Sequence, residues 1–205
     1  MRFPLPPVGL LGGLVLLAAG CSRAGPGAAR LSPREAANQA LAEYDTNKDG
    51  ALDARELEAC PGLQSAMKRI DKNNDGRLTA DEIADRITYH QQEGTASGVG
   101  VEVTLDGRTL PGASVTLVPE KFQGPSFKPV SVVTDGIGTG ALEADGSGEL
   151  IPLGFYRVVV SKKGAQGQEL IPALYNTNTV LGQEIAPDAA GRGSILSVKL
   201  RLTSR

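Results

Sequence analysis

The stretch DTNKDGALDARE, Asp45 to Glu56, returns in altered form as DKNNDGRLTADE, Asp71 to Glu82. In both, oxygen-bearing side chains stand at positions one, three and five, a glycine at six, and a glutamate at twelve. An oxygen at nearly every second residue is what a loop must present to wrap a hard cation. The first loop offers side-chain oxygens at Asp45, Asn47, Asp49, Asp53 and Glu56 and the backbone carbonyl of Ala51. The second offers Asp71, Asn73, Asp75, the carbonyl of Arg77, Thr79 and Glu82. Gly50 and Gly76 stand where the loop turns sharply, a backbone conformation that a side chain penalises.

The complete twelve-residue pattern, present twice, resembles the EF-hand, and that resemblance implies two bound calcium ions, each taking oxygens at about 2.3 to 2.6 Å, with Asp53 bound directly or through water and Glu56 bidentate. The surrounding residues agree. Asp53 with Glu56, and Thr79 with Glu82, have capping-box spacing, so loop closure and helix start are coupled. Tyr44 and Ile70 precede the loops, Leu57 and Ile83 follow them, and Leu52 and Leu78 occupy position eight, where paired EF-hands meet in a short antiparallel bridge. The loops begin only 26 residues apart. Pro61 and Gly62 interrupt the segment between them, so the outgoing and incoming helices should be about two turns each, and a calmodulin-type target groove looks too small. With only two Met in the chain, one of them Met1, no adaptable Met-rich groove is available. Four acidic ligands in the first loop against three in the second, with Lys72 and Arg77 nearby, predict that the first site binds more tightly.

Upstream, Ser32, Pro33 and Glu35 predict a capped helix start. The beginning of the chain reads as a targeting segment: Arg2, then the apolar run Val8 to Gly20, which is too short for a comfortable membrane span. LAAGC, Leu17 to Cys21, resembles a bacterial lipobox, which implies lipidation of Cys21; ordinary signal-peptidase cleavage near AAG and an uncleaved anchor helix are the alternatives. Under all three the remainder is expected to be exported. Lipidation implies a cell-envelope protein held at a membrane, and Ser22 resembles lipoproteins sent to an outer membrane. Cys60, the other cysteine, then has no intramolecular partner and reads as a small buried apolar residue.

From Val99 onward the period changes to two, over VGVEVTLDG, GASVTLVPE, PVSVVTDG, GALEADGSGEL, YRVVVSKK, NTVLGQEI and SILSVKLRL. Asp106-Gly107 and Asp145-Gly146 are hairpin turn dipeptides. Seven short strands predict an antiparallel sandwich. VTLDGRTLPGASVTLVPE, GFYRVVVSKKG and ELIPALYNTNTVLGQEI look like the transthyretin-like, or carboxypeptidase regulatory-like, β-sandwich of bacterial envelope lipoproteins. The fold class is therefore multidomain α plus β: a signal peptide at 1–20, a flexible tether at 21–31, an EF-hand pair at 32–93, a linker at 94–97, and a seven-stranded transthyretin-like sandwich at 98–205.

Function classes narrow accordingly. A net charge of −2 gives no basic surface for a phosphate backbone, so nucleic acid is not an expected partner. His90 is the sole histidine, read as complementing a helix C-terminus or facing solvent, and no nucleophile motif accompanies it, so catalysis is not expected. DGIGTG, Asp135 to Gly140, lacks the features of a phosphate loop and reads as a turn. Tyr175, Asn176 and Asn178 gather in one loop, where a glycan or peptide surface is the alternative to ordinary loop chemistry. The leading reading is a calcium-braced, lipid-anchored envelope protein whose sandwich is a structural or recognition module; the alternatives are a calcium-responsive regulator and a carbohydrate-binding surface protein.

Overall fold

The computed structural model describes residues 30–96, 98–142, 151–189 and 196–204. The signal segment, Cys21, most of the tether and the Asp145-Gly146 turn lie outside these residues. No helix among the described residues is long and apolar enough to cross a membrane.

The helical half opens with α1 (Pro33–Tyr44), capped as predicted: the Glu35 amide donates to Ser32 Oγ at 3.3 Å and the Ser32 amide to Glu35 Oε2 at 2.9 Å. β1 (Ala51–Leu52) leads into α2 (Ala54–Leu57), and α3 (Pro61–Ile70) leads to β2 (Leu78–Thr79) and α4 (Ala80–Glu93). The expected pair of two-turn helices is unequal. α2 is a single turn and α3 has ten residues. Pro61 explains the asymmetry: it disfavours helical backbone at Cys60, which sits at φ −129°, ψ 72°, and then serves as the first residue of α3. Ala36, Ala37 and Ala40 are buried on α1, where small side chains let it lie close against α4.

In the strand-rich half, β3 (Thr95–Ala96) is followed by β4 (Val99–Leu105), β5 (Arg108–Thr109), β6 (Ser114–Pro119), β7 (Val130–Val133), β8 (Thr139–Leu142), β9 (Ile151–Pro152), β10 (Gly154–Ser161), β11 (Gly182–Ile185) and β12 (Ser197–Leu202). One sheet runs β11-β10-β6-β7, all antiparallel; the other runs β12-β4-β5, with β8 also against β4. Two corrections to the sequence reading follow. Eight strands, not seven, make up these two sheets among the described residues, because the two-residue β5 is too short to show a period. The arrangement is also not wholly antiparallel: β12 pairs parallel with β4, from Ser197 opposite Gly100 to Leu202 opposite Leu105. A two-residue alternation has no direction, so only long-range pairing decides it. Within the expected linker, Thr95 and Ala96 form β3, paired with Pro152 and Ile151 of β9, which ties the exit of α4 to the start of β10.

Between the two sheets lies a core that includes Val101, Val103, Val115, Leu117, Tyr156, Val158 and Val160. The helices have a second core, and Phe122 and Phe155 from the strand-rich half belong to it. Strand alternation explains how. Tyr156, Val158 and Val160 point between the sheets, so Phe155 points out of the opposite face, toward the helices. Glu184 is the register partner of Phe155, and Glu120 donates its amide to the Phe155 carbonyl at 3.0 Å. Glu120, Phe155 and Glu184 therefore form one row across three adjacent strand ends, and the helical half covers it.

Candidate metal centre

Each loop is drawn into a ring by its own carboxylates. In the first, Asp45 accepts from the amides of Asp49 (3.3 Å) and Gly50 (3.0 Å), Asn47 Oδ1 from Asp49 (2.9 Å), and Asp49 Oδ1 from Ala51 (3.2 Å). Glu56 reaches back across the loop, accepting from the Thr46 amide at 2.8 Å and the Asn47 amide at 3.2 Å with one oxygen, and from the Asp53 amide at 3.0 Å with the other. The second loop repeats this with Asp71 to Asp75 (3.2 Å) and Gly76 (3.0 Å), Asn73 to Asp75 (2.8 Å), Asp75 to Arg77 (2.9 Å), and Glu82 to Lys72 (3.1 Å) and Thr79 (3.0 Å). The side chains at positions one, three, five and twelve are thus each held by amides of their own loop, in both loops. The backbone turns at φ +89° at Gly50 and +79° at Gly76, with nothing within 4 Å of the missing Cβ, so conformation rather than space demands glycine.

Asp53 and Thr79 act as the predicted caps. Asp53 Oδ1 accepts from the Arg55 and Glu56 amides at 2.8 and 3.0 Å, and Thr79 Oγ1 from Glu82 at 3.3 Å. The Asp53 amide and the Asn47 and Thr46 groups hold the Glu56 carboxyl below the usual carboxylate range, against the opposing effect of burial. The loops are zipped together as expected: Leu52 opposes Leu78 and Ala51 opposes Thr79, with both leucines wholly buried.

Among the described residues no three Asp, Glu, His or Cys side chains by themselves form a metal-holding group. A calcium ion held here would need the Asn47 and Asn73 amide oxygens and the Ala51 and Arg77 carbonyls beside the carboxylates. One contact was not anticipated. Arg77, in the second loop, pairs with Asp49 of the first, each about two-fifths exposed. Part of the first loop's acidic surplus is thus offset by a cation from the second.

Residues 38–61 and 63–85 match the EF hand family. The helical half holds an EF-hand pair. No curated protein matches the chain in sequence. Among solved structures, the major pilin subunit of Bacillus cereus is similar at 16% identity over 53% of this chain, with a TM-score of 0.32. The chain spans 30% of that pilin's length.

Other residues singled out by sequence take structural places. Cys60 is wholly buried, and burial pushes its thiol up, away from reactivity. Tyr175 is buried, with its hydroxyl 3.2 Å from Thr203 Oγ1, and Asn176 donates to the Val160 carbonyl at 3.1 Å, so two of the three residues considered for a glycan surface hold the fold instead. Asp135 closes its own turn, accepting from the Ile137 and Thr139 amides at 3.0 and 2.9 Å. His90 departs most from its reading. It is buried, its ring lies edge-on to Phe155, and its Nε2 is 2.8 Å from Glu184 Oε1.

Proposed function

We propose that both EF-hands of this chain bind calcium and that the ions act as permanent braces of the fold in an exported protein. The observation that carries this reading is that α3, which joins the two loops, packs on β10 and β11 and that Phe122 and Phe155 of the strand-rich half complete the helical core. A calcium sensor works by parting its helix pair to expose an apolar groove. Here the corresponding apolar face is filled by Phe122 and Phe155, so ion binding reinforces a surface that is already occupied. Extracellular EF-hand modules commonly bind at about 10⁻⁴ to 10⁻³ M, and an exported chain would meet calcium continuously.

The remaining assignments extend the same reading. The chain is a lipoprotein acylated at Cys21 and held in the cell envelope at an outer membrane, facing the periplasm or the surface; the sandwich, of transthyretin-like type, serves as a structural or recognition module; and the chain is not an enzyme. Support comes from the lipobox-like LAAGC and from the strand pattern. Calorimetric titration tests the metal assignment: two calcium ions are expected for the parent chain, and Glu56→Gln and Glu82→Gln should each lose one. Retention of both ions by both variants would sink it. Radiolabelled fatty acid should be incorporated by the parent and not by Cys21→Ala; equal labelling would remove the anchor assignment.

A further inference from the structure

The outer row of the sheet carries two buried glutamates, and each meets a different hand. Glu120 accepts from the amide of Gly62 at 3.0 Å and from the Tyr44 hydroxyl at 3.3 Å, while Arg157 bonds Glu120 at 2.9 Å and donates to the Ala59 carbonyl at 2.6 Å. Tyr44 is the residue immediately before Asp45. Ala59 and Gly62 bracket the chain just beyond Glu56. Glu120 thus holds the entry of the first loop through Tyr44 and, through Gly62 and the Arg157 bond to Ala59, the turn where the chain leaves α2 and begins α3.

Glu184 does the same for the second loop. It is wholly buried and bonds Arg69 Nε, Arg86 Nε and His90 Nε2. Arg69 lies two residues before Asp71, on the entering helix α3. Arg86 and His90 lie about one and two turns beyond Glu82 on the leaving helix α4, and Arg86 also grips Asp188 with two nitrogens at 2.8 and 2.6 Å. Backbone contact closes the same seam: a Cβ on Gly182 of β11 would collide with the Pro61 carbonyl.

Buried ion pairs of this kind are poor sources of net stability, since well-packed apolar residues in their place are often as stable or more so. What a hydrogen-bonded carboxylate adds is direction. A glutamate with three donors fixes the positions of the groups that donate, and here, apart from Arg157 of β10, those groups belong to the segments on either side of the calcium loops. Calcium needs six or more oxygens at once, so the spacing between the two ends of its loop decides how much of the binding free energy is spent on ordering.

We propose that Glu120 and Glu184 are positioning residues for calcium, Glu120 for the first loop and Glu184 for the second, so that the sandwich sets the affinity of each site through the helices. This rests on the calcium reading given above. By linkage, calcium in each loop strengthens the corresponding seam by the same factor that the seam strengthens calcium.

The test uses the full chain, with Glu82→Gln leaving only the first loop competent and Glu56→Gln leaving only the second, and calcium affinity read by competition with a chromophoric chelator. Adding Glu184→Gln should weaken the second loop by about five- to tenfold and leave the first within about twofold; adding Glu120→Gln should do the reverse. A merely structural role would move both loops together. Equal weakening of both loops, or no weakening of either, overturns the proposal. If Glu184→Gln does not fold, as judged by far-ultraviolet circular dichroism, Arg69→Gln removes one arm of the same cluster and is read against the same criteria. Failure of the parent chain to bind calcium would overturn the calcium reading itself; binding by the parent with loop-blind variants overturns only the positioning role.

Discussion

Lys48 and Asn74 occupy the same place in their loops, with φ of +59° and +57°. Asn tolerates this left-handed conformation, whereas for most side chains it costs roughly 1 to 2 kcal/mol. Lys48→Asn should therefore raise stability by about 0.5 to 1 kcal/mol in urea denaturation, and Asn74→Lys should lower it by a similar amount; opposite signs would show that the loops are not held as described. The Arg77 pair with Asp49 makes a second expectation. Arg77→Gln should strengthen calcium binding at the first loop, by less than about fivefold because both groups are partly exposed and screened, and strengthened binding confined to the second loop, read by titration in the single-loop backgrounds, would contradict it. Oxygen spacing, the two glycines and the caps were legible in the sequence because each is a local requirement. Position four was not, since nothing about a lysine signals a positive φ, and the reach of Arg77 to the neighbouring loop depends on how the two loops are zipped.

Strands were legible through alternation, and what alternation hides is equally specific. β12 runs parallel to β4, which a period of two cannot encode. The second covered face left a trace that a finer reading would use: Phe155 and Tyr156 are adjacent, so both faces of β10 must be apolar, yet the glutamates beside that face read as a solvent side. At the seam, Gly182→Ala should destabilise by about 1 to 3 kcal/mol because overpacking has only backbone to push against. Within the helical half, Leu78→Ala removes half of the wholly buried Leu52–Leu78 contact and should cost about 2 to 5 kcal/mol in the same denaturation assay. Costs near zero at either position would mean that the sheet and helices do not pack as described.

Over the whole molecule, the helical half and the sandwich share a buried, charged seam, and its pH response has a definite sign. Burial pushes the Glu184 carboxyl up, but the hydrogen bonds from His90, Arg86 and Arg69 outweigh it and leave it below the ordinary value. Glu169, which ties Ser161 and Lys162 to Ile171, is likewise pushed up by burial yet drawn down to about 2 by its hydrogen bonds. A carboxylate depressed in the folded state contributes stability above its unfolded pKa of about 4.3, and that contribution is lost as pH falls through the folded value. Urea stability should thus be level with respect to these groups above about pH 5 and decline toward about pH 2, and Glu169→Gln should flatten the lower part of that decline; an unchanged acid limb would contradict the assignment. That the two halves are joined by contact rather than by a free linker is a long-range fact that no local pattern announced. On the proposed function, calcium braces this joined structure. Thermal unfolding of the full chain in calcium and in chelator tests it most directly: a single cooperative transition should shift upward with calcium, by the equivalent of about 2.7 kcal/mol for each site at a hundredfold excess over its Kd, whereas superimposable melts in the two conditions would contradict it.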